Sequence, residues 1–410
     1  MNKKNIVERA YWISSIVMLF LFGMRFMGFP NKLAFLWLGA TVVFGIVWFK
    51  RNVFDISVIF LGMGFLSYSY ITGNDLISMV LYSGIPVLAY LAGKMWCMQK
   101  SSLCIGKNTG KVMILTLTMG TFVCGLLEKY SRFFRFTEEC YSGRYWFDFW
   151  DGGIRPATYY MFYAMMTIGV VFWALYVRKK EKLLSCSFLL FIVIELAFFA
   201  WVETRTPFLV IAIVLFIEFV IFLWINRREA YVKPLVSIIG ICAIAGVAIV
   251  AITWYFNLFN IQNSVIGQVL SHDGGIFGNV RFQAQRNAIM QLFMYPMGGK
   301  QMDIAGLKYV HNVWLDIAYT AGIIPFVFVA AYTIGTFVEC VKLILSRDIP
   351  QEMKYLMTGI FIALHLNYSV EPVLDANMVF WAMGTCVSGM IKGYRISSKE
   401  VTYEKECTGR

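Results

Sequence analysis

Apolar residues recur in runs of about 17–25, each long enough to cross a hydrocarbon core of roughly 30 Å, with short polar breaks between them. The runs predict helices over residues 10–29, 33–49, 54–71, 76–93, 112–127, 156–177, 183–203, 206–226, 234–256, 310–344, 354–368 and 373–392. The predicted fold class is all-α: one polytopic integral membrane protein over 1–410, with about twelve transmembrane helices and two longer extracytoplasmic loops. The run 310–344 is long for one crossing, so its first turns lie at the interface or the helix tilts strongly.

The polar breaks set the orientation. With the N-terminus in the cytoplasm, the basic breaks at Lys3, Lys4 and Arg9, at Lys50 and Arg51, at Arg178 to Lys182, at Arg227 and Arg228, and at Arg347 all fall on one side. So does the basic C-terminal tail, as the positive-inside rule requires. Two longer segments then face outward. Residues 128–155 carry Lys129, Arg132, Arg135, Arg144 and Arg155, and residues 257–309 carry Arg281, Arg286, Lys300 and Lys308. Long loops translocate largely regardless of charge, which is one reading of these cations; the other is an anionic ligand outside the membrane.

Composition agrees with the pattern. Hydrophobic residues make up 59% of the chain and charged residues only 15%, with a mean hydropathy of +0.66. The basic N-terminus runs into an apolar stretch ending near Phe29 without a small-residue cleavage site, which reads as a retained first helix. The formal charge of +12 is scattered over short loops and gathered in no stripe, which argues against a nucleic-acid partner. Of nine cysteines only Cys140 falls clearly outside, so no disulfide framework is expected, and no Cys/His spacing resembles a zinc site.

Four constellations can carry chemistry. Thr204-Arg205-Thr206-Pro207 opens a span, with Pro207 in the first helical turn and Arg205 at the outer rim near the positive end of the helix dipole. That arginine binds an anion or snorkels to lipid headgroups. Residues 281–294 read as an interfacial amphipathic helix with Phe282, Ile289, Met290, Leu292 and Phe293 apolar, on which Arg281 and Arg286 project about 140° apart. One of the two binds substrate while the other anchors the helix. His311-Asn312 stands at the mouth of a long apolar run, in a chain with three histidines. An imidazole there suits a general base with Asn312 orienting ring or substrate, and equally suits a helix cap.

The fourth is the aromatic loop 128–155, in which Tyr141, Tyr145, Trp146, Phe147, Phe149 and Trp150 stand beside Asp148 and Asp151. Rings with adjacent carboxylates suit a sugar; an interfacial aromatic belt looks the same. Glu195 and Glu218 fall inside spans, where a carboxylate is costly, and they favour a transporter.

Taken in order, these features resemble the superfamily of O-antigen ligases and Wzy-type O-antigen and capsular polysaccharide polymerases. Thr-Arg-Thr at 204–206 is similar to the family's Ser-Arg-Thr element. Arg281 precedes Pro296-Met297-Gly298-Gly299 much as the family's loop arginine precedes its Pro-Leu-x-Gly turn. His311-Asn312-x-x-Leu315 with Gly322 resembles the His-Asn-x-x-Leu element and the glycine after it. Pro325 and Gln285 stand where the family commonly has glycine and tryptophan.

The resemblance implies a metal-independent, inverting glycosyltransferase in the bacterial cytoplasmic membrane, with both termini cytoplasmic. It would act on a polyprenyl-diphosphate-linked oligosaccharide at the outer face, without a cofactor. Repeat-unit polymerisation is favoured over ligation to a lipid or protein acceptor. Arg205 and Arg281 would bind the diphosphate, Arg286 and Lys300 would assist, and His311 would activate the acceptor hydroxyl. Asn312, Trp146, Asp148 and Asp151 complete the expected substrate-binding set. Membrane lipids and a chain-length regulator or flippase are the implied partners. The rival from another class is a lipid-linked oligosaccharide flippase driven through Glu195 and Glu218.

Overall fold

The computed structural model describes residues 3–50, 53–98, 109–134, 145–202, 204, 206–229, 280–371, 374 and 378–408. The expected span 234–256, the first part of the loop 257–309, Cys140 and Arg205 lie outside the described residues. In chain order the elements are α1 (Lys3–Gly23), α2 (Asn31–Phe49), α3 (Ile56–Ile71), α4 (Leu76–Met98) and α5 (Thr109–Phe134). A hairpin of β1 (Tyr145–Phe147) and β2 (Ile154–Pro156) follows, then α6 (Ala157–Gly169), α7 (Val171–Val177), α8 (Lys182–Trp201) and α9 (Thr206–Ile225). The last are α10 (Val280–Gln291), α11 (Val313–Ala321), α12 (Ile323–Leu345), α13 (Gln351–Tyr368) and α14 (Met378–Thr408).

Among the described residues eight helices are long and apolar enough to cross a membrane, and α3 is a shorter apolar helix. Helices dominate because a chain in hydrocarbon must satisfy its backbone N–H and C=O groups within itself. Apolarity follows what each helix faces. On α9, Phe208, Leu209, Phe216, Val220 and Trp224 are exposed, as lipid contact demands. The centrally placed α13 instead buries Lys354, Thr358, His365 and Asn367, so it faces protein and is not among the eight.

Three expectations change. The run 310–344 is not one helix but α11 and α12, joined at Gly322 with φ 85° and ψ −168°. A Cβ on Gly322 would sit 2.1 Å from the Pro296 carbonyl oxygen, and one on Gly298 would sit 2.4 Å from the Gly322 nitrogen. The Pro296–Lys300 turn is thus pressed against the joint, with Ile323 N donating to Pro296 O at 2.8 Å and Gly299 N to Thr320 O at 3.0 Å. Only glycine accepts that backbone approach and that φ.

The span expected to end near 127 runs on to Phe134 as α5, so 128–134 is helix, not loop. Its extra turns carry Glu128, Lys129 and Arg132, all buried, because each meets a partner in the protein: Lys129 Nζ reaches Glu195 Oε2 at 2.7 Å, and Glu128 Oε2 accepts from Phe149 N at 3.1 Å. What remains of the aromatic loop contains the one departure from all-α among the described residues, the antiparallel β1–β2 pair with Trp146 opposite Arg155.

Candidate functional site

The turn before α11 is set by its own side chains. Asn312 is the N-cap, its Oδ1 accepting from Leu315 N at 3.1 Å, and Asp316 Oδ1 reaches back to Val310 N at 3.1 Å. Between them His311 is held at φ 55°, a left-handed conformation that costs a non-glycine residue energy and is kept only where the surroundings impose it. Asn312, expected to orient ring or substrate, is occupied as a cap; its Nδ2 also donates to Ser369 O at 3.4 Å.

The segment Ser369–Glu371, just past α13, gathers the rest. Gln285 Nε2 of α10 donates to His311 O at 3.1 Å and to Ser369 O at 3.4 Å. Arg281 Nη1, also of α10, donates to Val370 O at 3.4 Å and to Glu371 Oε1 at 3.2 Å. The other carboxylate oxygen, Glu371 Oε2, stands 3.6 Å from His311 Nδ1, which has no hydrogen-bond partner among the described residues. Glu371 is 2% exposed while the Arg281 and His311 side chains are 40% and 19% exposed. A buried carboxylate therefore stands between a guanidinium and an imidazole, both of which reach the surface.

Two of the expected site residues, Arg281 and His311, thus converge. Arg286 does not join them: it lies on another face of α10, lining a cavity of about 520 Å³ with Phe282, Gln283, Gln285, Ile289 and Met290. The helix α10 buries Ala284 and Ala288, with Leu292 buried just past its end, and leaves Phe282, Ile289, Met290 and Phe293 exposed, the face an interfacial helix turns to lipid. Lys300, at φ 60°, lines a different cavity of about 250 Å³ with Tyr68, Thr72, Asn74, Tyr82 and Thr320.

The aromatic loop offers no open sugar platform at Trp146 or Asp148. Trp146 is 1% exposed and stacks on Tyr160 at 4.3 Å between ring centroids. Asp148 is fully buried, ion-paired through Oδ2 with Arg25, while its Oδ1 accepts from Trp150 N at 3.0 Å. Asp151 is the exposed member, taking Arg25 at 3.3 Å and Arg155 at 3.2 Å on Oδ2. Burial raises its carboxyl, but the Gly153 N–H and the two arginines outweigh that and hold it below its ordinary value. Desolvation opposes the charge on Arg25 as well, yet the Asp148 carboxylate paired with it favours that charge.

Of the two intramembrane acids, Glu195 is paired with Lys129, whereas Glu218 is buried in α9 with neither oxygen hydrogen-bonded among the described residues. Among the described residues no three His, Cys, Asp or Glu side chains are grouped as metal ligands would be.

Sequence reading missed Glu371, Gln285 and Arg25. Glu371 had a signal: it is an acid in the short break between runs 354–368 and 373–392, on the side assigned to the outward cations. Arg25 had one too, as a charge inside the first apolar run. No protein-family model matches this chain, and none of the curated proteins matches it in sequence.

Proposed function

We propose that this chain is a membrane glycosyltransferase of the O-antigen ligase and Wzy-type polymerase kind. It polymerises polyprenyl-diphosphate-linked repeat units at the outer face of the bacterial cytoplasmic membrane, with about twelve crossings and both termini inside. The observation that carries the reading is the Arg281–Glu371–His311 set, which puts a guanidinium and an imidazole from distant parts of the chain on one buried carboxylate.

The chemistry follows from the parts. Glu371 Oε2 stands 3.6 Å from Nδ1, so a slight approach in the substrate complex would let Nδ1–H donate to it and leave Nε2 as the base. Nε2 takes the proton of the acceptor hydroxyl as the hydroxyl oxygen attacks the anomeric carbon. The bond from that carbon to the phosphate oxygen breaks, configuration inverts, and the diphosphate leaves carrying the electron pair. Arg281, with Arg205 supplying a further guanidinium group, stabilises the charge that develops there. Glu371 is the positioning residue, since it orients both Arg281 and His311 without meeting the sugar.

Incubating purified protein with a polyprenyl diphosphate oligosaccharide tests this. Wild type lengthens the glycan on the lipid, and His311→Ala and Arg281→Ala do not. Transfer only to an added lipid or protein acceptor redirects the reading to ligation. Undiminished elongation by His311→Ala would falsify it. A flippase would reverse the dependence, tolerating His311→Ala and failing with Glu218→Gln, whose buried carboxyl, without a hydrogen-bond partner among the described residues, is the feature that favours that rival.

A further inference from the structure

At the end of the bundle opposite His311, the last turn of α9, the end of α12 and the first turn of α13 enclose a cleft of about 390 Å³. Arg227, Arg228, Arg347 and Lys354 line it. The cations come from three separate elements, and among the described residues none of them is in an ion pair. Of the acids beside them in sequence, Glu229, Asp348 and Glu352, none is within ion-pair distance among the described residues, and Asp348 is close enough to Lys354 to favour its charge. Arg227, Arg228 and Arg347 are exposed, while Lys354 is 6% exposed and donates to the Ile344 carbonyl at 2.9 Å.

The cleft is a defined cavity, not a run of loop charges. Gln351 Nε2 donates to Asn226 Oδ1 at 3.4 Å, and Tyr176 OH donates to Gln351 Oε1 at 2.9 Å, which ties α7, α9 and α13 together beside it. Its other wall is apolar. Trp224 and Leu345 are 44% and 54% exposed, and the Arg227 guanidinium lies 5.4 Å from the centre of the Trp224 ring. Cations at one level and exposed apolar side chains at the next match an amphiphile with an anionic head; a soluble anion would leave the apolar wall unused.

We infer that this cleft is a binding site for the phosphodiester headgroup of an anionic phospholipid, with its acyl chains against Trp224 and Leu345. Arginine suits a phosphodiester, because its planar fork donates two parallel hydrogen bonds to phosphate oxygens. Basic pockets between helices at a membrane surface hold such headgroups. The assignment is independent of the transfer chemistry proposed at the other end.

The test is native mass spectrometry on the purified full chain in detergent, with phosphatidylglycerol, phosphatidylcholine and inorganic phosphate titrated separately. Phosphatidylglycerol should bind about tenfold more tightly than phosphatidylcholine, and the Arg227→Gln/Arg347→Gln variant should lose that preference. Lys179→Gln/Lys180→Gln, which removes the same charge from the neighbouring loop, should keep it. Equal retention of the two lipids overturns the proposal, as does an undiminished preference in the double arginine variant. A preference lost equally in the lysine variant overturns it too, because general end charge then suffices. Inorganic phosphate that displaces the lipid shows a free-anion site instead. If the double arginine variant fails to fold, Arg347→Gln alone, at an exposed residue, gives the same reading.

Discussion

Glu371 Oε2 lies 3.6 Å from Nδ1 of His311, while its other oxygen receives Arg281 Nη1 at 3.2 Å. One carboxylate with 2% exposure therefore serves two partners on separate segments. Glu371→Gln keeps the shape and removes the charge. If the carboxylate positions the imidazole, kcat for glycan elongation falls by about two orders of magnitude or more while KM changes little and the melting curve stays cooperative. A variant with kcat intact and only its melting temperature lowered would show Glu371 to be a structural ion-pair partner alone.

The joint between α11 and α12 makes a stability prediction. Gly322→Ala places a Cβ 2.1 Å from the Pro296 carbonyl oxygen at φ 85°, so both strain and collision act. Its cost should exceed the ~1 kcal/mol typical of alanine at a positive-φ glycine alone. Gly28→Ala is the control, since φ is +76° there and nothing lies within 4 Å. Thermal unfolding in detergent that gives the two variants equal shifts removes the close-approach argument.

Arg25 and Arg155 both bind the aromatic loop, but in different settings. Arg25→Gln strands the fully buried Asp148 carboxylate, and breaking a buried pair costs about 3–5 kcal/mol. Arg155 and Asp151 are 38% and 40% exposed, so Arg155→Gln should cost about 0–1 kcal/mol. Denaturation midpoints in the reverse order would refute the ranking.

At the other end of the bundle, Asp55 caps α3 and takes Lys94 at 2.6 Å and Lys392 at 3.1 Å. Burial pushes the Asp55 carboxyl up, but Lys94 and Lys392 outweigh it and hold it below its ordinary value of 3.8. A carboxyl depressed in the folded state adds stability above its unfolded value, and that stability is lost as pH falls through the folded one. Melting temperature should therefore decline below about pH 4 from this group. Asp55→Asn should lower it at neutral pH and flatten the acid decline; an acid limb identical to wild type would discard the assignment.

Among the described residues neither oxygen of Glu218 has a hydrogen-bond partner, at 0% exposure, so no specific contact there depends on its charge. Glu218→Gln should leave elongation within about twofold and stability within about 1 kcal/mol, measured on the same assay and melt. A large loss of transport or elongation would give this carboxyl a functional proton.

The apolar runs by themselves determined that this chain is a set of membrane-crossing helices, because hydrocarbon admits little else and the requirement is written residue by residue. The polar residues between them also marked His311 and Arg281 as unusual for their surroundings. Tertiary structure alone decided the remainder. The break of 310–344 at Gly322 depends on a turn more than twenty residues upstream that presses on it. The extension of α5 through Glu128 and Lys129 depends on partners at Phe149 and Glu195. Trp146 and Asp148 read as a sugar platform until Tyr160 and Arg25 were seen to occupy them. Glu371, 60 residues after His311, becomes its neighbour only when α13 returns to that end of the bundle. Local composition fixes which segments leave water; which charges then meet is set by helix packing, and no periodicity records it.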